Sequence, residues 1–196
     1  RGMQPDAEER LDFELIGVLY DSRANDEAIA LIDRFTTRHA SSALLPDVRL
    51  TRFRLAVRTG DTARARTLGL DLFNGGVRDA TPSQRLSAGE LLAAYLVAVG
   101  DLEGGLNLYR QLFQRATGPD MQRMILWKAG VAALRAGQHD RALTNLRSLN
   151  DRGPTGDLRP AGLYWQAVAE IRVGQIDQAT RRFRALVQTQ PYHYYG

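Results

Sequence analysis

Apolar residues recur every three to four positions in one segment after another, and short polar turns separate these segments. Around Gly100 the apolar positions are Leu92, Leu96 and Val99 before the turn and Leu102, Leu106 and Tyr109 after it. This spacing is typical of helices that bury one face, whereas a half-buried strand alternates at every second residue. No such alternation persists for more than a few residues, so the pattern predicts helices throughout.

The turns between the helices follow a repeated motif of a turn residue, a polar residue and a small residue five positions after the turn. The turn positions are 23, 60, 100, 137 and 174, separated by 37, 40, 37 and 37 residues. Glycine occupies all of them except the first, where Arg23 stands, and glycine ends a helix readily because it adopts left-handed backbone angles without strain. Asp61 and Asp101 directly follow two of the turns, where they are expected to cap the next helix. The small residues predict close helix crossings at Ala28, Ala65, Gly105, Ala142 and Ala179.

These turns predict five helical hairpins. Their expected boundaries are 6–21/25–38, 47–59/61–73, 82–99/101–115, 120–136/138–149 and 158–173/175–188. One hairpin cannot bury its apolar face alone, but stacked hairpins bury it against each other. We therefore predict an all-α fold, a right-handed α-α superhelix over residues 1–190, followed by an aromatic junction at 191–196.

The last two units carry the most regular set of aromatic, small, turn and proline residues. These are Trp127, Gly130, Gly137, Ala142, Leu146 and Pro154 in the fourth unit, and Tyr164, Trp165, Ala167, Gly174, Ala179, Phe183 and Pro191 in the fifth. The set resembles tetratricopeptide repeats, which implies a solenoid of that type. Two features depart from the family: the period of 37 exceeds the usual ~34 residues, and Arg23 replaces the first turn glycine.

Composition narrows the chemistry further. The 196 residues include no cysteine, which excludes disulfides, zinc-thiolate sites and a cysteine nucleophile. No apolar run reaches the ~18 residues of a membrane span. Eight acids and three arginines lie in residues 1–27, which leaves 14 acids and 23 basic residues, a net charge of +9, in residues 28–196. A cationic body favours anionic partners in general.

Two arginine clusters are the candidate binding residues. The predicted anionic-ligand surface comprises Arg49, Arg52, Arg54, Arg58, Arg181, Arg182 and Arg184, with Arg64 and Arg66 near the first cluster. The alternative is that these arginines form ordinary solvated helix faces. Aromatic residues do not alternate with them as they do in single-strand binders, so nucleic acid is the least favoured partner.

We predict no catalytic residue, metal site or cofactor in this segment. His39, His139 and His193 lie in different repeats and are expected to be ordinary surface or turn residues. Glu170 is unusual because the other repeats place Leu19, Ala56, Leu96 and Ala133 at its position. A buried carboxylate needs a partner, so we expect Glu170 to pair with a nearby arginine such as Arg172 or Arg181, or to be exposed at the edge of the array.

Residues 163–196 carry a second resemblance. Tyr164-Trp165-Gln166-Ala167, Gly174-Gln175 and the ending Pro191-Tyr192-His193-Tyr194-Tyr195-Gly196 are similar to the end of the superhelical domain of soluble lytic murein transglycosylases. The resemblance implies a non-catalytic scaffold in the bacterial periplasm or cell envelope that positions the glycan and peptide of peptidoglycan. It also implies a catalytic domain after Gly196. No apolar signal segment occurs at the start of the chain, so we expect any leader to be absent from it. Tyr192, Tyr194 and Tyr195 would dock that domain, or alternatively cap the last repeat.

Two other functions stay open at this stage. The chain is alternatively a free-standing adaptor that binds a protein or peptide in the concave groove of the array. A nucleic-acid-binding helical repeat is the third hypothesis, and only the positive charge suggests it.

Overall fold

Ten α-helices make up the fold in the computed structural model, which describes residues 6–189, and no strand occurs in that range. The helices are α1 (Ala7–Asp21), α2 (Asn25–Arg38), α3 (Leu45–Thr59), α4 (Thr62–Asn74), α5 (Pro82–Ala98), α6 (Leu102–Arg115), α7 (Pro119–Arg135), α8 (His139–Asp151), α9 (Leu158–Arg172) and α10 (Ile176–Thr189). Each predicted boundary lies within two residues of the observed one. The all-helical prediction and the five hairpins are therefore confirmed.

All five predicted turn positions have left-handed backbone angles. The φ angle is 63° at Arg23, 75° at Gly60, 92° at Gly100, 72° at Gly137 and 83° at Gly174. The next backbone N–H reaches back to a carbonyl of the helix that has just ended, as from Asp61 to Ala56 at 3.0 Å and from Gln138 to Ala133 at 2.8 Å. This bond closes the turn and satisfies a carbonyl that the helix leaves unpaired. Arg23 shows that the first turn keeps this geometry without glycine.

Polar side chains cap the N-termini of several helices. The carboxylate of Asp61 accepts a hydrogen bond from the N–H of Arg64 at 3.0 Å, and Asp101 accepts one from Gly104 at 3.0 Å. Both caps confirm the sequence prediction. Thr81 and Gln84 form a reciprocal pair before α5, since each accepts a hydrogen bond from the backbone N–H of the other. Such pairs satisfy N–H groups that have no partner within the helix.

Small residues lie where paired helices cross. Ala28, Ala65, Gly105, Ala142 and Ala179 are all buried. A Cβ atom at Gly105 would lie 2.5 Å from the Cγ2 of Val97 and 2.8 Å from the carbonyl oxygen of Ala93. The helices α5 and α6 therefore approach too closely for any larger side chain at this position.

The chain forms two compact units, with the boundary inside α5 between Leu92 and Ala93. In unit 1, which precedes the boundary, α2 packs against α1 and α3, and α4 packs against α3. In unit 2, which follows it, each of the helices α6 to α10 packs against the next. None of the helices described has the length and apolarity that a membrane crossing requires.

Candidate ligand-binding grooves

Unit 2 contains an open groove of about 490 Å³ between α6 and α8, with α7 as its floor. The floor is apolar, because Ile125, Leu126 and Ala129 are all buried. The walls are mixed in character and comprise Glu103, Leu106, Asn107, Tyr109, Arg110 and Phe113 of α6 and Asp140, Arg141, Thr144 and Asn145 of α8. An apolar floor with polar walls is the usual composition of a ligand pocket.

The charged residues of this groove balance each other. Arg141 donates through Nη1 to Oε1 of Glu103 at 2.5 Å and so joins the two walls. Arg110 donates to the amide oxygen of Asn107 at 2.7 Å, and Asp140 contributes a second carboxylate. We call this site the apolar groove.

Unit 1 contains a groove of the same volume, about 490 Å³, between α2 and α4, with α3 as its floor. Arginine side chains from two helices reach it. Its lining comprises Ile32, Asp33, Thr36 and Thr37 of α2, Arg49 and Arg52 of α3, Arg64, Leu68, Asp71 and Leu72 of α4, and Val77. We call this site the arginine groove.

Arg52 is the most buried charged side chain of the arginine groove. The residue is 8% exposed, and its Nε lies 3.3 Å from Oδ1 of Asp33, whose side chain is 63% exposed. Arg49 lies about one turn earlier on α3 and is half-buried. Arg64 approaches the groove from α4, and its Nε is 3.8 Å from Asp61, the residue that caps that helix. The groove lining therefore brings three guanidinium groups together with the carboxylates of Asp33 and Asp71.

The two grooves occupy equivalent places in the repeat. Arg49 precedes its turn glycine by 11 residues and Arg52 by 8, and Leu126 and Ala129 have the same spacing from Gly137. Each groove lies between the second helices of neighbouring hairpins, with the first helix of the later hairpin beneath. The repeat thus builds the same groove twice with different floors.

The four arginines of the first predicted cluster do not share one surface. Arg49 and Arg52 line the groove, whereas Arg54 and Arg58 are exposed and do not. Arg58 donates to the carbonyl oxygen of Tyr20 at 2.5 Å, and its guanidinium lies 3.7 Å from the centre of the Tyr20 ring. Arg58 therefore joins α3 to the end of α1. A role for these arginines in anion binding stays a prediction.

Glu170 is fully buried and belongs to a chain of side-chain hydrogen bonds in unit 2. Arg182 donates to both of its carboxylate oxygens, from Nε at 3.2 Å and from Nη2 at 2.9 Å. Gln166 donates to the same carboxylate at 2.9 Å and accepts from Asn150 at 2.6 Å. Three donors thus satisfy the buried charge, as a buried carboxylate requires.

The prediction that Glu170 pairs with a nearby arginine is confirmed, but the arginine is not one of the two named from the sequence. Arg172 and Arg181 are exposed, and Arg182 makes the ion pair. Neighbouring residues on α10 point in different directions, and Arg182 is the one of these arginines that reaches Glu170 on α9. Of the second arginine cluster, Arg181 and Arg184 are exposed, whereas Arg182 is already bound to a carboxylate.

The other residues singled out from the sequence contact neighbouring side chains within the fold. His39 lies in the turn after α2, as expected, but its side chain is only 12% exposed, and its Nε2 is 3.9 Å from Asp12. Tyr164 packs edge-on against Trp165 and Phe183, with ring centres 5.4 and 5.6 Å apart. Within residues 6–189, no three His, Cys, Asp or Glu residues are placed to hold a metal ion.

The predicted junction residues Tyr192, Tyr194 and Tyr195, together with His193, lie outside the described residues. The apolar groove itself was missed by the sequence analysis. Aligning the second and fourth repeats on their turns would have shown that Arg49 and Arg52 stand where the fourth has Leu126 and Ala129. No single residue of the apolar groove stands out in the sequence, because the groove depends on how three helices pack.

Comparison with known proteins identifies the fold. No family model matches the chain, and no curated protein matches it. In structure it is similar to the nearly identical TPR-like repeats of a protein described as a kinesin light chain from Podosopora anserina, with a TM-score of 0.67 and 19% identity, over 96% of this chain and 99% of that one.

Two further structures agree with this. A variant of the same Podosopora anserina protein has a TM-score of 0.67 and 18% identity, over 96% of this chain and 100% of that one. MamA of AMB-1 has a TM-score of 0.63 and 15% identity, over 96% and 95%. At such identities the likeness shows the fold alone. The resemblance to tetratricopeptide repeats is confirmed, and the link to lytic transglycosylases stays a prediction. The chain is an array of TPR-like helical hairpins.

Proposed function

We propose that the chain is a helical-repeat scaffold that binds a peptide segment of a partner protein in the apolar groove. The observation that carries this proposal is the buried apolar floor of α7 beneath an open space of about 490 Å³. Ligand pockets commonly enclose ~300 to 1,000 Å³. The groove is therefore large enough for a few side chains of a peptide.

The two parts of the groove have different roles in this binding. Contact with Ile125, Leu126 and Ala129 removes apolar ligand surface from water and supplies most of the affinity. The charged and amide groups on the walls select the sequence of the peptide, because a mismatched ligand leaves them buried without partners. Since the wall charges balance, we expect the preferred peptide to be apolar with few net charges.

The proposal is tested with peptides selected from a display library on the purified chain. Thr144 lies on the exposed wall formed by α8, so Thr144→Trp fills the groove without altering the core. We expect this variant to weaken binding of the selected peptides about tenfold, which corresponds to ~1.4 kcal/mol. Thr180→Trp is the matched control, because Thr180 is exposed on α10 and lines neither groove. Equal binding by both variants would contradict the proposal.

A finer proposal is that the scaffold belongs to a peptidoglycan lytic transglycosylase of the bacterial cell envelope. It is supported by the sequence resemblance within residues 163–196 and by the arginine groove, whose guanidinium groups suit anionic peptide stems. The test is co-sedimentation of the chain with purified sacculi at low and high salt. Binding that salt weakens and that Arg49→Gln reduces would support this proposal. No binding at low salt would overturn it and leave the peptide-binding scaffold unaffected.

A further inference from the structure

Arg52 is a buried guanidinium whose ion pair is with a single, largely exposed carboxylate. Its closest contact with Asp33 joins Nε to Oδ1, at 3.3 Å. A guanidinium carries five N–H donors in a planar fork, and four of them belong to its two Nη atoms. Because Arg52 lines the groove and is 8% exposed, these donors lie at the base of an open cavity.

The repeat itself does not require arginine at these positions. In unit 2 the equivalent residues are Leu126 and Ala129, and both belong to a well-packed floor. A charged floor is less favourable than an apolar one unless its charge is paired, because removing a guanidinium from water is expensive. The partial pairing with the exposed Asp33 offsets this cost incompletely. The arginines are therefore better explained by a ligand than by stability.

The remaining polar groups of the groove narrow the class of ligand. The hydroxyl of Thr36 donates to the carbonyl of Ile32 at 2.8 Å and that of Thr37 to Asp33 at 3.0 Å, so both donors are already in use. Arg49, Arg52 and Arg64 then supply the donors for an incoming acceptor. With Asp33 and Asp71 in the same lining, the net charge of the groove is only +1.

We propose that the arginine groove binds the carboxylate side chains of an acidic peptide segment of a partner protein. Arg52 and Arg49 receive one carboxylate, which replaces Asp33 as the acceptor of Arg52. The planar fork of arginine matches a carboxylate in two parallel hydrogen bonds. Asp33 and Asp71 repel any negative charge that enters the groove. A carboxylate carries one negative charge and a phosphate carries about two, so the two aspartates favour the carboxylate. The inference rests on the proposed role as a peptide-binding scaffold, but it concerns a different groove.

The test measures binding of a fluorescein-labelled peptide of alternating glutamate and alanine to the full chain by fluorescence anisotropy. Arg49 is half-buried, so Arg49→Gln is expected to keep the fold and to weaken binding about tenfold. Arg54→Gln is the matched control, because Arg54 lies on the same helix but is exposed and outside the groove. It should change the affinity by less than about twofold, as expected for an exposed charge. Circular dichroism confirms that both variants remain folded.

A third variant separates a binding role from a structural one. The carboxylate of Asp33 competes with the ligand for Arg52, so Asp33→Asn should tighten binding of the glutamate peptide. If the ion pair were only structural, this variant would not tighten binding. Equal weakening by Arg49→Gln and Arg54→Gln would overturn the proposal, because it would show only general attraction to positive charge. Displacement by inorganic phosphate but not by chloride of equal ionic strength would also overturn it. Thr144→Trp should leave this binding intact, so failure here is distinguishable from failure of the apolar groove.

Discussion

The arginine groove and the apolar groove have the same place in the repeat and the same volume, but their floors differ. Arg49 and Arg52 lie beneath the first, and Leu126 and Ala129 lie beneath the second. The hairpins pack in the same order around both. The fold therefore depends on the turns and on the crossing positions, whereas the floor of each groove can vary without changing the fold.

Arg52 of unit 1 and Glu170 of unit 2 are both buried charges, but their surroundings differ. In unit 2 the carboxylate of Glu170 is fully buried and receives three hydrogen bonds, so its capacity is largely used within the fold. In unit 1 the guanidinium of Arg52 contacts one exposed carboxylate and faces an open groove. A buried charge whose hydrogen bonds are all made is tolerated within the fold, whereas a buried charge at an open cavity is accessible to solvent or a ligand.

The largest expected difference between the units follows from this. Arg182→Leu leaves Glu170 buried with a single side-chain donor, Gln166, and should lower the free energy of unfolding by about 3 kcal/mol. Asp33→Ala should lower it by only about 1 kcal/mol, because water in the groove reaches Arg52. Denaturant unfolding followed by circular dichroism measures both. The double variant Glu170→Leu/Arg182→Leu should recover part of the loss, and equal losses for the two single variants would remove the distinction.

Placing an arginine in the floor of the apolar groove should give the next largest change in the free energy of unfolding. Arg110 and Asp33 both follow their turn by ten residues, so Ala129→Arg places its guanidinium near Arg110 where unit 1 has a carboxylate. We expect a loss of about 2 kcal/mol from like-charge repulsion and burial. Adding Arg110→Asp rebuilds the pair of unit 1 and should restore at least about 1 kcal/mol. A double variant less stable than Ala129→Arg would show that the grooves are not equivalent.

Substitutions at the turns are expected to change the free energy of unfolding by about 1 kcal/mol. Arg23 holds left-handed angles that a non-glycine residue adopts at a cost of roughly 1 kcal/mol, so Arg23→Gly should raise the melting temperature. Gly137→Ala should lower it by a similar free energy. A Cβ atom at Gly137 meets no other atom within 4 Å, so the loss is conformational. Thermal unfolding measures both changes, and shifts of the same sign would refute this account of the turns.

The smallest effect concerns the wall of the apolar groove. Glu103→Gln breaks the ion pair with Arg141, but the two side chains are 76% and 46% exposed. We expect a change in unfolding free energy below about 0.5 kcal/mol. The same variant should alter the salt dependence of peptide binding, because Arg141 then remains as an unbalanced charge on the wall. A stability loss above about 1 kcal/mol, on the scale of a buried pair, would contradict this.

The helices and turns could be predicted because their causes are local in the chain. A left-handed residue, a capping carboxylate such as that of Asp61 and an apolar stripe act over a few residues, and the repeated spacing makes each one easier to recognise. The small residue five positions after each turn is equally regular, because every hairpin crosses at the same place. Even Arg23 was placed correctly, since its neighbours carried the repeat.

Only the tertiary structure decided which side chains line the two grooves and which charges are paired. Arg52 and Arg54 lie two residues apart on one helix, yet the first is buried in a groove and the second is exposed. Glu170 selects Arg182 and not its neighbour Arg181, because the rotation of α10 against α9 determines which side chain crosses between them. Each groove combines residues from three helices of two hairpins. Its shape therefore depends on how the hairpins pack against each other, and local sequence preferences do not specify that packing.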